Sequence, residues 1–338
     1  MKTKSLSTLI AVIGLIAFLG TPVQAQQCDR QCLEKMMKDY VAAMVKHDPT
    51  GLPFASDVKF TENTAKTIEV LPIGKGLWQT ASAGPTTYQI YAADPVEHAA
   101  ACLVVMKESG KDIYLGARIK LNDDNKISEA EHIVVRSGLT EVMVRNGTKE
   151  ETLRTTLKTP RPGFLEDVPP AERMKHWDLV GIGLAYYDAL TGEDGTLAPF
   201  GKTCERHENG MITATSEPRP KDQAIPGVKL DPAMAKFPRD CEGQLSTGTF
   251  AYITEIKPRR LVVADVQKGI AVGFSMFYHA AELKEMPIKG VPGVTKIKAF
   301  DQKFNLPAVH FFKIRKGQIY EIEANGVSMP YGVSSSWE

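Results

Sequence analysis

Tyr40-Val41-Ala42-Ala43-Met44, then His47-Asp48, Pro53-Phe54 and Glu62-Asn63, is matched by Tyr186-Tyr187-Asp188-Ala189-Leu190, then Glu193-Asp194, Pro199-Phe200 and Glu208-Asn209. Every matched pair is 146 positions apart, and no gap is needed over 24 positions. That period is too long for a solenoid repeat, so duplication of a whole domain is the expected cause. The likeness resumes downstream. Ala93-Asp94 matches Ala264-Asp265, and Lys120-Leu121 with Ile127-Ser128-Glu129-Ala130-Glu131 matches Lys313-Ile314 with Ile319-Tyr320-Glu321-Ile322-Glu323. Each of these closing stretches reads as strand, polar turn and strand, which is a hairpin.

Upstream of each set of strands lies a helical pattern. Leu33, Met36, Met37, Tyr40, Val41, Met44 and Val45 form one apolar stripe, and Asp48-Pro49 ends it. Trp177, Val180, Leu184, Tyr187 and Leu190 repeat the stripe. Strand character follows at Val58 to Glu62, Thr86 to Tyr91, Ala99 to Met106, Ile113 to Leu121 and Ile127 to Val135. The pattern predicts an α+β fold of two consecutive cone-shaped modules, each a helix packed in a curved antiparallel sheet. The open end of such a cone is a usual place for a small-molecule site. Glu129, Glu131, Glu321 and Glu323 alternate with apolar residues, which predicts that they face solvent on the outer side of the sheet.

The expected boundaries are a signal peptide at 1–25, a first module at 26–145, a Pro-rich linker at 146–172 and a second module at 173–338. An insertion in the second module, Pro218 to Pro238, reads as a surface loop and a candidate lid. The signal peptide is read from Lys2 and Lys4, the apolar run Leu9 to Leu19, and the small-residue exit Val23-Gln24-Ala25. The apolar run is short for a membrane span, so the mature chain is expected to be periplasmic or secreted, with no stable membrane insertion. Cysteine use fits an oxidising compartment. Cys204–Cys241 is the favoured bridge, Cys28–Cys32 a second, and Cys102, inside the run Ala99 to Val105, a buried core thiol. Asn146-Gly147-Thr148 matches a glycosylation sequon but reads as a plain polar loop. With 41 basic and 40 acidic residues, the chain has no field to hold nucleic acid or an anionic membrane. No Cys/His spacing suggests a metal, and no motif suggests an organic cofactor.

The opening stretch from Tyr40 through Asp48, Leu52-Pro53, Ala55-Ser56-Asp57-Val58 and Glu62-Asn63 resembles the start of the NTF2-like superfamily. That group includes ketosteroid isomerases, SnoaL-type cyclases and scytalone dehydratases. Arg118-Ile119-Lys120-Leu121 with Lys126-Ile127-Ser128-Glu129 resembles its last hairpin. The resemblance implies a helix tyrosine at Tyr40 and Tyr186, and a general-base carboxylate at Glu62 and Glu208. A second hydrogen-bonding group would fall near Ala117, a departure from the pattern, and near His310. His207 precedes Glu208 directly but, by strand alternation, should face the other side. On this basis the second copy is the richer one.

The implied function is a cofactor-independent lyase or isomerase using carboxylate acid–base chemistry on a small apolar cyclic or aromatic substrate. The alternative is a periplasmic or secreted small-molecule binding protein without catalysis. A third is an interaction module, a pseudo-dimer of modules or a homo-oligomer. Plain structural roles compete at every site residue. The two Glu-Asn pairs could shape strand ends, the two tyrosines could be core, and His310 and His279 could be satisfied core histidines.

Overall fold

The computed structural model describes residues 27–136, 156–217 and 236–338. The signal peptide, the Asn146 sequon, the first part of the linker and most of the 218–238 insertion lie outside the described residues.

Helix α1 (Arg30–Val45) buries Leu33, Met37, Tyr40, Val41 and Met44, the stripe expected from their spacing. The Asp29 side chain caps its start by accepting the Cys32 N–H at 2.9 Å. The chain continues through β1 (Phe54–Asn63), β2 (Ile68–Leu71), a helical turn at Leu77–Thr80, β3 (Ala81–Ala83), β4 (Gln89–Asp94), β5 (Ala99–Glu108), β6 (Lys111–Leu121) and β7 (Ile127–Arg136). These strands form one sheet in the order β2-β1-β7-β6-β5-β3, with β4 also on β5.

After a segment containing a turn at Pro162–Leu165 come α2 (His176–Gly192), β8 (Phe200–Glu208), β9 (Met211–Ala214), a turn at Cys241–Leu245, β10 (Glu255–Asp265) and β11 (Ile270–His279). A small hairpin of β12 (Glu285–Pro287) and β13 (Lys296–Lys298) precedes β14 (Phe304–Arg315), β15 (Gln318–Gly326) and β16 (Met329–Pro330). The second large sheet runs β10-β11-β14-β15-β8-β9, with β16 on β14.

The architecture is α+β with curled sheets and few helices, as expected. The sheets are mixed, however, rather than antiparallel throughout. β1 pairs parallel with β7 and β8 pairs parallel with β15. A closing strand reached through a long crossover can run beside the first strand in the same direction, which a hairpin forbids. Both expected disulfides are formed, Cys28–Cys32 and Cys204–Cys241, with Cα atoms 5.3 and 5.9 Å apart. Cys102 is free and buried.

The convex faces of the two sheets pack against each other. Leu103, Tyr114 and Ile133 of the first meet Val272, Val309 and Phe311 of the second in one core cluster. The sheets approach so closely at Gly116 that a Cβ there would sit 2.8 Å from a Val309 methyl. This corrects the expectation for the strand glutamates. Glu131 and Glu323 are 3% and 1% exposed, because the face they occupy is covered rather than solvated. Glu131 pairs with Arg118 of its own sheet at 2.7 Å and with Arg260 of the other at 2.7 Å. Glu323 is held by Arg161 at 2.9 Å, from the segment between the sheets. That segment is therefore a packed strap where it is described, with Phe164 1% exposed.

Two buried aspartates tie the halves reciprocally. Asp94 Oδ2 accepts from the Ala264 N–H at 2.7 Å and from His176 Nε2 at 2.8 Å, while its Oδ1 takes the Val96 N–H of its own turn at 2.9 Å. Asp265 Oδ2 accepts from the Ala93 N–H at 3.0 Å and from Arg30 Nη2 at 2.8 Å, while its Oδ1 takes the Lys268 N–H of its own turn at 3.0 Å. Arg30 and His176 each open a long helix and are themselves 146 positions apart. Each half thus gives the other the same pair of contacts, the pattern of a two-fold interface.

Replacing Asp265 by Ala leaves the half-buried Arg30 guanidinium with Glu34 alone and a buried N–H unpaired. Asp265→Ala should lower unfolding free energy by about 3–5 kcal/mol, read from urea titrations. A loss below about 1 kcal/mol would show that this clasp does not hold the halves together.

Candidate active site

Along β8 the side chains alternate, so Arg206 and Glu208 share one face while Glu205 and His207 take the other. Glu208 points into the concave side of the second sheet. Tyr186 reaches the same space from α2 and His310 from β14, and all three line one partly open cavity of about 150 Å³. The Tyr186 and His310 rings are 5.5 Å apart. His279 and Tyr252 complete one wall.

The Glu208 side chain is 34% exposed and forms an ion pair with Arg206 at 3.1 Å. Arg206 is itself 1% exposed. It donates to Thr213 Oγ1 at 2.9 Å and to Gln244 Oε1, and lies over the Phe250 ring. Gln244 sits in the turn that Cys204–Cys241 pins to β8, so the disulfide braces the cation behind the carboxylate.

Burial pushes the Tyr186 hydroxyl up to about 12, against the opposing pull of the Arg206 charge. Burial, and then the Arg206 charge, depress His310 to about 3. Its Nδ1 lies 3.4 Å from the Tyr187 hydroxyl. Both groups are therefore neutral near pH 7. The cavity holds a carboxylate beside two neutral hydrogen-bonding groups, a set suited to taking a proton from carbon while a donor meets the oxygen that gains charge.

His207 faces away from the cavity, as strand alternation requires. Its ring lies 2.8 Å from Glu205 and 3.2 Å from Glu323. Burial disfavours its charged form, but the Glu323 and Glu205 carboxylates outweigh burial and raise it. His207 belongs to the buried charge cluster under the strap.

In the first half the corresponding carboxylate is enclosed. Glu62 is 4% exposed on its side chain. Both its oxygens accept the Leu77 N–H at 3.0 Å, and it contacts His132 Nδ1 at 3.1 Å and Arg136 Nη2 at 3.1 Å. Burial opposes its charge, but His132, the Leu77 N–H and Arg136 prevail and hold it below the usual carboxylate range. That makes it a weak base and a firm clamp on the 77–80 turn, whose Leu77 and Trp78 fill the cone. Tyr40 is fully buried, stands edge-on to Trp78 at 5.1 Å, and shares a 2.9 Å hydrogen bond with His132 Nε2. Burial raises its hydroxyl.

His132 was not among the residues singled out from sequence. In the first sheet Ala117 on β6 faces His132 on β7, whereas in the second His310 on β14 faces Ala324 on β15. The two halves carry the same histidine–alanine pair with the strands exchanged. Its signal lay in the alternation of β7, which puts Ala130, His132 and Val134 on the concave side between the buried glutamate and Ile133. The asparagines of the two Glu-Asn pairs are structural. Asn63 clasps the Val134 backbone, accepting at 2.6 Å and donating at 3.0 Å, and Asn209 clasps Gly326 at 2.9 and 2.8 Å.

Residues 172–326, which span α2 to β15, match a family described as a domain of unknown function (DUF8021). No curated protein matches the chain. Among solved structures, a "putative polyketide cyclase" from Silicibacter sp. tm1040 is 16% identical, covering 45% of this chain and 91% of that one at a TM-score of 0.27. A "Putative SnoaL-like polyketide cyclase" from Jannaschia sp. CCS1 is 13% identical, covering 48% and 90% at 0.27. A "putative hydroxylase" from Streptomyces galilaeus is 9% identical, covering 46% and 83% at 0.26.

The histidines set a pH dependence of stability. An unperturbed histidine titrates near 6.5, but folded His310 stays neutral to about 3 and His279, also depressed by burial, to about 4. As pH falls below 6.5 the unfolded chain binds protons that the folded chain refuses, so stability drops. His207 acts in the opposite sense: its contribution is full below its unfolded value and is lost as pH rises through its raised folded value. His310→Phe should therefore shrink the stability lost between pH 7 and pH 4.5 by about 2 kcal/mol. Equal losses in the two proteins, by urea titration at both pH values, would contradict this.

Proposed function

We propose that this chain is an exported protein of two tandem NTF2-like modules whose second module is a cofactor-independent lyase or isomerase. One observation carries the reading: Tyr186, Glu208 and His310, from a helix and two non-adjacent strands, line a single cavity. Glu208 takes a proton from a carbon next to a carbonyl. Tyr186 or His310 donates a hydrogen bond to the carbonyl oxygen as it becomes an enolate. Return of the proton to another carbon gives isomerisation, and loss of a leaving group gives elimination.

The tandem reading is supported by the 146-residue offset, the shared strand order and the reciprocal aspartates. Export is supported by the leader pattern in the sequence and by the two disulfides. The cavity's size favours a small substrate, since an apolar space of about 150 Å³ admits a benzene-sized ligand.

The test is solvent-deuterium exchange at the α-carbons of small cyclic ketones, cyclohexanone and 2-indanone, followed by NMR. The wild-type protein should accelerate exchange of at least one, and Glu208→Gln should lower that rate by about 10²–10⁴-fold. Binding of the ketones without exchange would make this a binding protein. Exchange unchanged in Glu208→Gln would remove the assigned base.

A further inference from the structure

The second half departs from the first at one connection. β5 and β6 are joined by the tight turn Ser109-Gly110, whereas their counterparts β11 and β14 are joined by residues 280–303, which carry the β12–β13 hairpin. This connection builds a second chamber of about 230 Å³, closed on its other side by the turn from Ala251 to Thr254.

The two chambers share a wall. Tyr252, Ile253, His279 and Phe300 line both. His279 stacks on Phe304 at 3.9 Å and on Tyr252 at 5.4 Å, and Tyr252 meets Phe300 edge-on at 4.7 Å. The rings of Tyr252, His279 and Phe300 therefore border both the space beside Glu208 and the space beneath the loop.

Their chemistry differs. The inner chamber is walled mainly by aromatic and aliphatic side chains around Glu208 and His310. The outer one is rimmed by the exposed Thr254, Glu282 and Gln302. Among the described residues, no lysine or arginine lines either chamber, while each has a glutamate. A carboxylate brought into the outer chamber would meet Glu282 and no lining lysine or arginine, and desolvating it would be costly. An uncharged hydroxyl or amide would find acceptors and donors. At about 30 Å³ of liquid volume per water-sized group, the outer chamber has room for an arm of several heavy atoms.

We propose that the chamber under the 280–303 connection is a second subsite of the same pocket, taking a short, polar, uncharged arm of a ligand whose ring lies against Tyr186 and His310. The assignment rests on the reading that the Glu208 cavity is the ligand site, but not on turnover. The first half has no equivalent connection, and its cone is filled by Trp78. The subsite is thus a property of the second half alone.

The test is calorimetric binding of three probes, toluene, 3-phenylpropan-1-ol and 3-phenylpropanoate, to the wild-type chain and to Glu208→Gln. The alcohol should bind at least about 10-fold tighter than toluene and about 10-fold tighter than the propanoate. Leu283→Trp, which fills the outer chamber from its rim, should erase the alcohol's advantage and leave toluene binding unchanged. Retained toluene binding reports that Leu283→Trp is folded. Equal binding of toluene and the alcohol, tighter binding of the propanoate, or an equal loss for all probes in Leu283→Trp would overturn the subsite. Failure of toluene itself to bind would instead remove the Glu208 cavity as the ligand site, and the subsite with it. A subsite that holds while ketone exchange fails would leave a two-chamber binding protein.

Discussion

The structure depends on two buried carboxylates that each satisfy the other half of the chain. Asp94 and Asp265 are both fully buried. A buried charge survives only where hydrogen bonds and a partner replace its lost water, and here those partners come from across the sheet–sheet interface. Each aspartate closes its own turn and also takes a backbone N–H and a helix-opening side chain from the opposite half. Sliding one sheet over the other would break both sets together. The apolar surface between the sheets supplies the bulk of the attraction, and the aspartates fix its register.

Fixing the halves back to back leaves each concave face free, and the two faces have gone different ways. In the first, Glu62 is saturated by a backbone N–H, a histidine and an arginine, and the cone above it is closed by Leu77 and Trp78. In the second, the same glutamate position keeps one buried cation behind it and a third of its side chain open. The histidine has crossed from the closing strand to its neighbour, out of ion-pair reach of the carboxylate and into the cavity wall beside Tyr186. The glutamate near the end of the first strand of each sheet thus clamps a turn in one half and lines a partly open cavity in the other.

Much of this was written in the sequence. Helix stripes, strand alternation and the 146-residue offset predicted the elements and their order, and the two disulfides followed from compartment and spacing. The sequence did not convey what the covered faces do. Glu131 and Glu323 alternate as exposed strand residues should, and only a second sheet placed against them makes them buried ion-pair partners. Arg30 and His176 lie at the repeat offset, but no local pattern marks a helix-opening residue as an interface ligand. His132 was hidden because the matched copy carries alanine at its place, so comparison of the copies pointed away from it. The 280–303 connection reads as ordinary loop and short strand, and its role as the wall of a chamber comes from where β11 and β14 bring its ends.

The central claim is that Glu62 holds structure in the first half while Glu208, at the matching place in the second, lines a partly open cavity. The most direct measurement is the unfolding free energy of Glu62→Gln beside Glu208→Gln at pH 7. The account predicts a loss of about 2–4 kcal/mol for Glu62→Gln, whose buried partners are left unmatched, and a smaller loss for the partly exposed Glu208→Gln, whose amide oxygen can still accept from Arg206. Equal losses, or a larger loss at Glu208, would contradict it.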